Sequence, residues 1–244
     1  AHPESSSGYY AMPDMTSAEA VNRYAACLDF LAFRYSRSDG RYGRIDKWIL
    51  HNEVDMGTSW TNMGAQHLNT YMHEYVKSLR ICHDIARRYN PNAEVMASFT
   101  HNWMQRDDYC AKEMLDILLD YSRTEGDFHW GVALHPYPQS LSNPKTWNDS
   151  GATWSMNTKY ITFKHLEVID PWLKQPEHKF RNSEKRSLWL SENGANSPSY
   201  SDSDLANQAA CAAWALYKVS QLDGIDAMQW HNWSDNPEEG VKIG

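Results

Sequence analysis

The stretch Trp48-Ile49-Leu50-His51-Asn52-Glu53 sets a short apolar run against an abrupt polar end, and four more runs repeat the pattern. Val95-Met96-Ala97-Ser98-Phe99 leads into His101-Asn102-Trp103, and Gly131-Val132-Ala133-Leu134 into His135-Pro136-Tyr137. Leu188-Trp189-Leu190 leads through Ser191 into Glu192-Asn193-Gly194, and Ala227-Met228-Gln229 into Trp230-His231-Asn232-Trp233. Runs this short and this apolar read as buried strands of a parallel sheet. Strand ends that turn polar and aromatic are how a parallel α/β barrel presents chemistry at its C-terminal face.

Helical patterns separate the runs and give a βαβα order. The first opens on Thr16-x-x-Glu19, a capping-box spacing, and continues through Ala20, Tyr24, Cys27, Leu28, Leu31 and Tyr35. The second, over 66–89, repeats Leu68, Met72, Tyr75, Leu79, Cys82 and Ala86 and stops at Asn90-Pro91. Further helices are predicted over 111–121, over 159–173, and from Ser201-x-x-Asp204 to a C′ residue at Gly224. Strands are predicted over 45–50, 95–99, 131–134, 187–190 and 225–229. The intervening loop over 138–158, rich in Ser, Asn, Pro and Trp, is long enough to point to function.

The chain has 244 residues and 41% hydrophobic content, enough for one large domain with a sizeable core. A net charge of -8 and the lack of any Lys/Arg cluster argue against nucleic acid and anionic membranes. No apolar stretch approaches the roughly 20 residues of a membrane span. The 11 Trp and 14 Tyr suit core packing and a sugar-lined cleft equally, since aromatic faces stack on apolar faces of pyranose rings. Cys27, Cys82, Cys110 and Cys211 form no CxxC and read as free buried thiols.

Two strand ends carry a glutamate, Glu53 and Glu192, and a carboxylate pair facing one cleft is what glycoside hydrolysis needs. With Asn52-Glu53 ending one strand and Glu192 ending another three strands later, the chain resembles clan A of the glycoside hydrolases, the retaining enzymes on (β/α)8 barrels. The resemblance implies that Glu53 is the acid/base at the end of strand four and Glu192 the nucleophile at the end of strand seven. It further implies that Asn52 contacts the sugar 2-hydroxyl, that Trp230 floors the sugar subsite from strand eight, and that His135 and Tyr137 lie near the nucleophile. Tyr137, His135 and Asn193 are candidate hydrogen-bond donors to Glu192. His101 and Asn102 read as sugar-binding, with Trp103 stacking beside them.

The expected fold class is therefore α/β, a (β/α)8 TIM barrel present as its strand 4 to strand 8 portion. Residues 1–244 form a single barrel domain cut at both ends, with the early strands and the last helix outside it. Five strands would then leave unpaired edges at 45–50 and 225–229. The expected activity is retaining hydrolysis of O-glycosidic bonds in a polysaccharide or oligosaccharide by double displacement. The alternatives are an inactive carbohydrate-binding barrel and, third, a metal-dependent hydrolase. His51, His101, His129, His135 and His231 show neither HxH nor HExxH spacing, so no metal and no cofactor is expected. A carbohydrate substrate is the expected partner, and that substrate class points to a secreted or periplasmic protein.

Overall fold

The computed structural model describes residues 1–244. Helices α1 (Ala18–Tyr35), α2 (Leu68–Tyr89), α3 (Ala111–Glu125), α4 (Ile169–Lys174) and α5 (Asp202–Ser220) alternate with five strands. The strands are β1 (Lys47–Leu50), β2 (Glu94–Phe99), β3 (Trp130–Leu134), β4 (Leu188–Asn193) and β5 (Ala227–Trp230), and they form one sheet in chain order. β1 pairs parallel to β2 with Trp48 opposite Val95, and β4 pairs parallel to β5 with Trp189 opposite Ala227. A parallel α/β sheet with sequential strand order is what the repeated apolar-run-then-helix pattern requires. No helix is long and apolar enough to cross a membrane.

Two compact units divide the chain. The first holds residues 1–98 and 107–132, with a core of Met12, Met15, Tyr71, Met72, Tyr75, Leu79, Val95 and Met114. The second holds residues 99–106 and 133–244, with Phe99, Ile161, Phe163, Ile169, Leu188, Leu190 and Cys211 at its centre.

Burial follows strand order. Every residue of β2 and β3 is buried, whereas β1 alternates and no residue of β5 is fully buried. The flanking helices are similarly undercovered: α1 buries only Leu28 and Ala32 and exposes Phe30, Leu31 and Phe33. α5 buries only Cys211 and Ala215 and exposes Leu205, Trp214, Leu216 and Tyr217. All four cysteines are free, but Cys27, expected to be buried on α1, is exposed. Burial pushes the Cys82 and Cys211 thiols up to about 12, so both stay protonated and unreactive near neutral pH.

Other expectations shift as well. The N-cap of α1 is Ser17, whose hydroxyl accepts from the Ala20 N–H at 3.2 Å. Thr16 is diverted because the Asp14 carboxylate accepts from both its N–H and its hydroxyl. The helix expected over 159–173 forms only as the six residues of α4, after a 3-10 turn at Leu166–Val168. Thr158, Tyr160, Ile161, Thr162 and Phe163 favour extended backbone. The Ile161 N–H donates to the His101 carbonyl, and the Thr162 hydroxyl accepts from the Lys164 N–H in competition with a helix. Finally, β4 runs three residues further than expected, so Glu192 lies within the strand.

Candidate active site

In the first unit, β1 ends in a turn that only side bonds can hold. His51 and Glu53 both have left-handed backbone, at φ 60° and 42°, although neither is glycine. β2 pins the turn: the Glu53 N–H donates to Ser98 Oγ at 3.1 Å and the Val54 N–H to the Ser98 carbonyl at 2.9 Å. From α2, the Tyr75 hydroxyl donates to the Leu50 carbonyl. The Asn52 carbonyl accepts from the Thr61 hydroxyl at 2.7 Å, so the following loop folds back onto the strand end. Asn52 and Glu53 themselves are half-buried. Strained non-glycine backbone held by several independent bonds is the kind of geometry that clusters at functional sites.

His51 lies against Tyr24 and Tyr75, and its Nε2 is 3.2 Å from Ser78 Oγ. Because the Ser78 hydroxyl donates to the Tyr75 carbonyl, Nε2–H of His51 is the donor in that contact. Burial pushes its pKa down to about 4. The unfolded chain protonates this group near 6.5 and the folded chain resists until about 4, so the unfolded state binds more protons between those values. Stability should fall as pH drops through that window, by about 2–3 kcal/mol in total. His51→Asn tolerates left-handed backbone and removes the titration. Denaturant unfolding at pH 7 and pH 4 should show a smaller loss for the variant; equal losses would place the sensitivity elsewhere.

In the second unit, the end of β4 is built around Glu192. The Tyr137 hydroxyl donates to its Oε1 at 3.1 Å, and His135 Nδ1 lies 3.9 Å from its Oε2. His135 is buried and fixed by its N–H to the Phe99 carbonyl, and its own carbonyl accepts from the Tyr137 N–H in a tight three-residue turn. That turn delivers the tyrosine to the carboxylate.

Asn193, a candidate donor to Glu192, serves the scaffold instead. Its amide donates to the Leu190 and Gln229 carbonyls and bridges the register shift in β4 to β5. A bulge of this kind re-aims the side chain beside it, here Glu192. Gly194 closes the same junction: a Cβ there would lie 2.0 Å from the His231 carbonyl oxygen. Trp230 is partly exposed and stacks on Phe163 at 6.0 Å.

His101 meets Tyr160 edge-on at 5.2 Å, and Asn102 bridges to Tyr160 with its side chain almost fully buried. Trp103, expected to stack on sugar, is instead core: it is buried, edge-on to Trp172, with Nε1 donating to the Met156 carbonyl. Gln139, Gly151 and Asn157 of the loop over 138–158, with Lys159 and Tyr160, line an open pocket of about 300 Å³.

A sequence profile described as "Family of unknown function (DUF5722)" matches residues 1–244. The chain belongs to this family. No curated protein matches it in sequence. Among solved structures, it is similar to a family 39 glycoside hydrolase from Bacteroides cellulosilyticus WH2, at 18% identity and a TM-score of 0.60, covering 97% of this chain and 43% of that one. A glucosidase from Croceicoccus marinus matches at 13% identity and TM-score 0.56, covering 91% of this chain and 39% of that one. A monomeric beta-xylosidase from Caulobacter crescentus CB15 matches at 15% identity and TM-score 0.55, covering 96% and 43%. The chain thus spans less than half the length of each. At these identities the likeness establishes the fold, an α/β fold shared with glycoside hydrolases.

Proposed function

We propose that this chain carries the catalytic residues of a retaining glycoside hydrolase acting on a polysaccharide or oligosaccharide. The observation that carries the reading is Glu192, held at the end of a parallel strand by the Tyr137 hydroxyl, within a fold shared with glycoside hydrolases. In this reading Glu192 is the nucleophile and Glu53, on its strained and anchored turn, is the acid/base. Retention requires the two carboxyl groups about 5–5.5 Å apart across the sugar. Asn52 then contacts the 2-hydroxyl, Trp230 floors the sugar subsite, and His101, Asn102 and His135 add hydrogen bonds to the substrate.

We assign the five strands to strands four to eight of a (β/α)8 barrel. The exposed apolar residues of α1 and α5, and the incomplete burial of β1 and β5, support further elements packing on both flanks. Secretion or periplasmic location fits this substrate class.

The test is hydrolysis of a panel of aryl glycosides and polysaccharides by the whole protein, with the first-formed anomer read by NMR. Retention of configuration, undiminished by EDTA, is the expected result. Inversion would remove the double displacement. Loss of activity in EDTA would favour a metal-dependent hydrolase, and sugar binding without turnover would favour an inactive binding barrel.

A further inference from the structure

The first unit presents three aromatic rings together on its surface. Tyr9 stacks on Trp60 with ring centroids 4.5 Å apart and planes 17° from parallel, and Tyr10 stacks on the same indole at 5.9 Å. Tyr9 is 74% exposed and Tyr10 64% exposed, so the tyrosines offer their outer surfaces while Trp60 backs them. Large apolar rings exposed side by side carry a solvation cost that isolated surface residues do not.

Their placement is built. The N–H groups of Tyr9 and Tyr10 both donate to the Ser59 carbonyl, the Asn62 N–H donates to the Tyr10 carbonyl, and the Met12 N–H to the Asn62 carbonyl. Asn62, almost wholly buried, donates from its amide to the Ser7 and Thr58 carbonyls at 3.0 and 2.9 Å. At Gly8 a Cβ would lie 2.6 Å from that amide, so the close approach of the two segments requires glycine. Asp108 accepts from the Thr58 N–H and hydroxyl and fixes the other side of the loop.

The platform is tied to the candidate acid/base. Consecutive turns carry the chain from Glu53 through Met56 to Trp60, and Thr61, the next residue, donates its hydroxyl to the Asn52 carbonyl. A ring surface one residue from a direct bond to the Asn52-Glu53 strand end is placed to hold a sugar beyond the one being cleaved.

We infer that Tyr9 and Tyr10, backed by Trp60, form an outer subsite for a neutral, equatorially substituted β-pyranosyl chain. This rests on the glycosidase reading above and deepens it. Stacking needs a flat sugar face made of C–H groups, which equatorial hydroxyls leave clear. Neutrality follows from charge: residues 1–22 and 48–76 contain no Lys or Arg, the flanking cations Arg23 and Lys77 are engaged by Glu19 and by the Met15 carbonyl, and the loop is anchored by Asp108. A uronate chain would meet no cation on these segments.

The test uses the whole protein carrying Glu192→Gln, titrated calorimetrically with cellohexaose, xylohexaose and hexagalacturonate. One or both neutral hexasaccharides should bind, and Tyr9→Ala with Tyr10→Ala should weaken that binding about tenfold. Tyr9→Phe with Tyr10→Phe keeps the ring faces and should keep the affinity. Both tyrosines are exposed, so these variants leave the core untouched. Unchanged affinity in the alanine variant, no binding of either neutral chain, or preference for hexagalacturonate would overturn the subsite. Turnover of an aryl glycoside by the unsubstituted protein together with any of those results would sink the subsite and spare the glycosidase. Tyrosine-dependent binding with no turnover of any glycoside would do the reverse.

Discussion

Glu192→Ala in the whole protein should abolish hydrolysis of every glycoside, activated or not, with a loss on the order of 10⁵-fold or more in kcat. The reason is positional. Glu192 is the carboxylate that Tyr137 holds at the end of β4, and the bulge bridged by Asn193 fixes the strand that aims it. In the proposed mechanism, removing it deletes the atom that forms the covalent glycosyl intermediate, so no leaving group is good enough to compensate. The truncated side chain also leaves a space beside the Tyr137 hydroxyl that a small anion can fill. Azide should therefore restore turnover of an aryl glycoside by a single displacement, and the glycosyl azide should have inverted configuration. A Glu192→Ala protein that still hydrolyses substrates with retention would remove Glu192 from the nucleophile's role. Rescue without inversion would place the anion on the other face of the sugar.

The strand ends were legible because burial and function impose opposite demands on adjacent residues. An apolar run that stops at His-Asn-Glu or His-Pro-Tyr marks the boundary between them, and β1, β2, β3 and β5 form where those runs lie. The backbone of the site was not legible. Left-handed conformations at His51 and Glu53 leave no trace in residue types that usually avoid them, because Ser98, Tyr75 and Thr61 impose them from distant sequence. Residues 159–165 are not helical: Ile161 and Phe163, two positions apart, follow the strand period, and tertiary pairing to His101 and Asn102 holds the segment extended. Trp103 shows the same limit, since polar neighbours made a core residue resemble a surface one. The Tyr9–Trp60 stack joins segments about fifty positions apart, and the one local hint was Gly8 preceding two tyrosines.

Glu53→Gln should divide substrates by leaving group, and this is the result that separates the two carboxylates. A general acid matters in proportion to how badly the departing oxygen needs a proton. Oligosaccharides and alkyl glycosides should lose about 10²–10⁴-fold in kcat/KM, whereas 2,4-dinitrophenyl glycosides should lose little in the first step. Their second step should suffer, because in the proposed mechanism the same residue activates water against the glycosyl intermediate. A burst of dinitrophenol followed by slow turnover is the expected trace. Azide, which needs no base, should accelerate the slow phase and give a product of retained configuration. Glutamine is the right replacement because the left-handed backbone at residue 53 and its bond to Ser98 make a change of side-chain size a structural perturbation as well as a chemical one. Thermal unfolding within a few degrees of the unsubstituted protein checks that the turn survives. If Glu53→Gln instead silenced all substrates and gave inverted azide products, while Glu192 variants spared activated ones, the two roles would have to be exchanged. If both variants kept full activity on oligosaccharides, neither strand end would hold the chemistry.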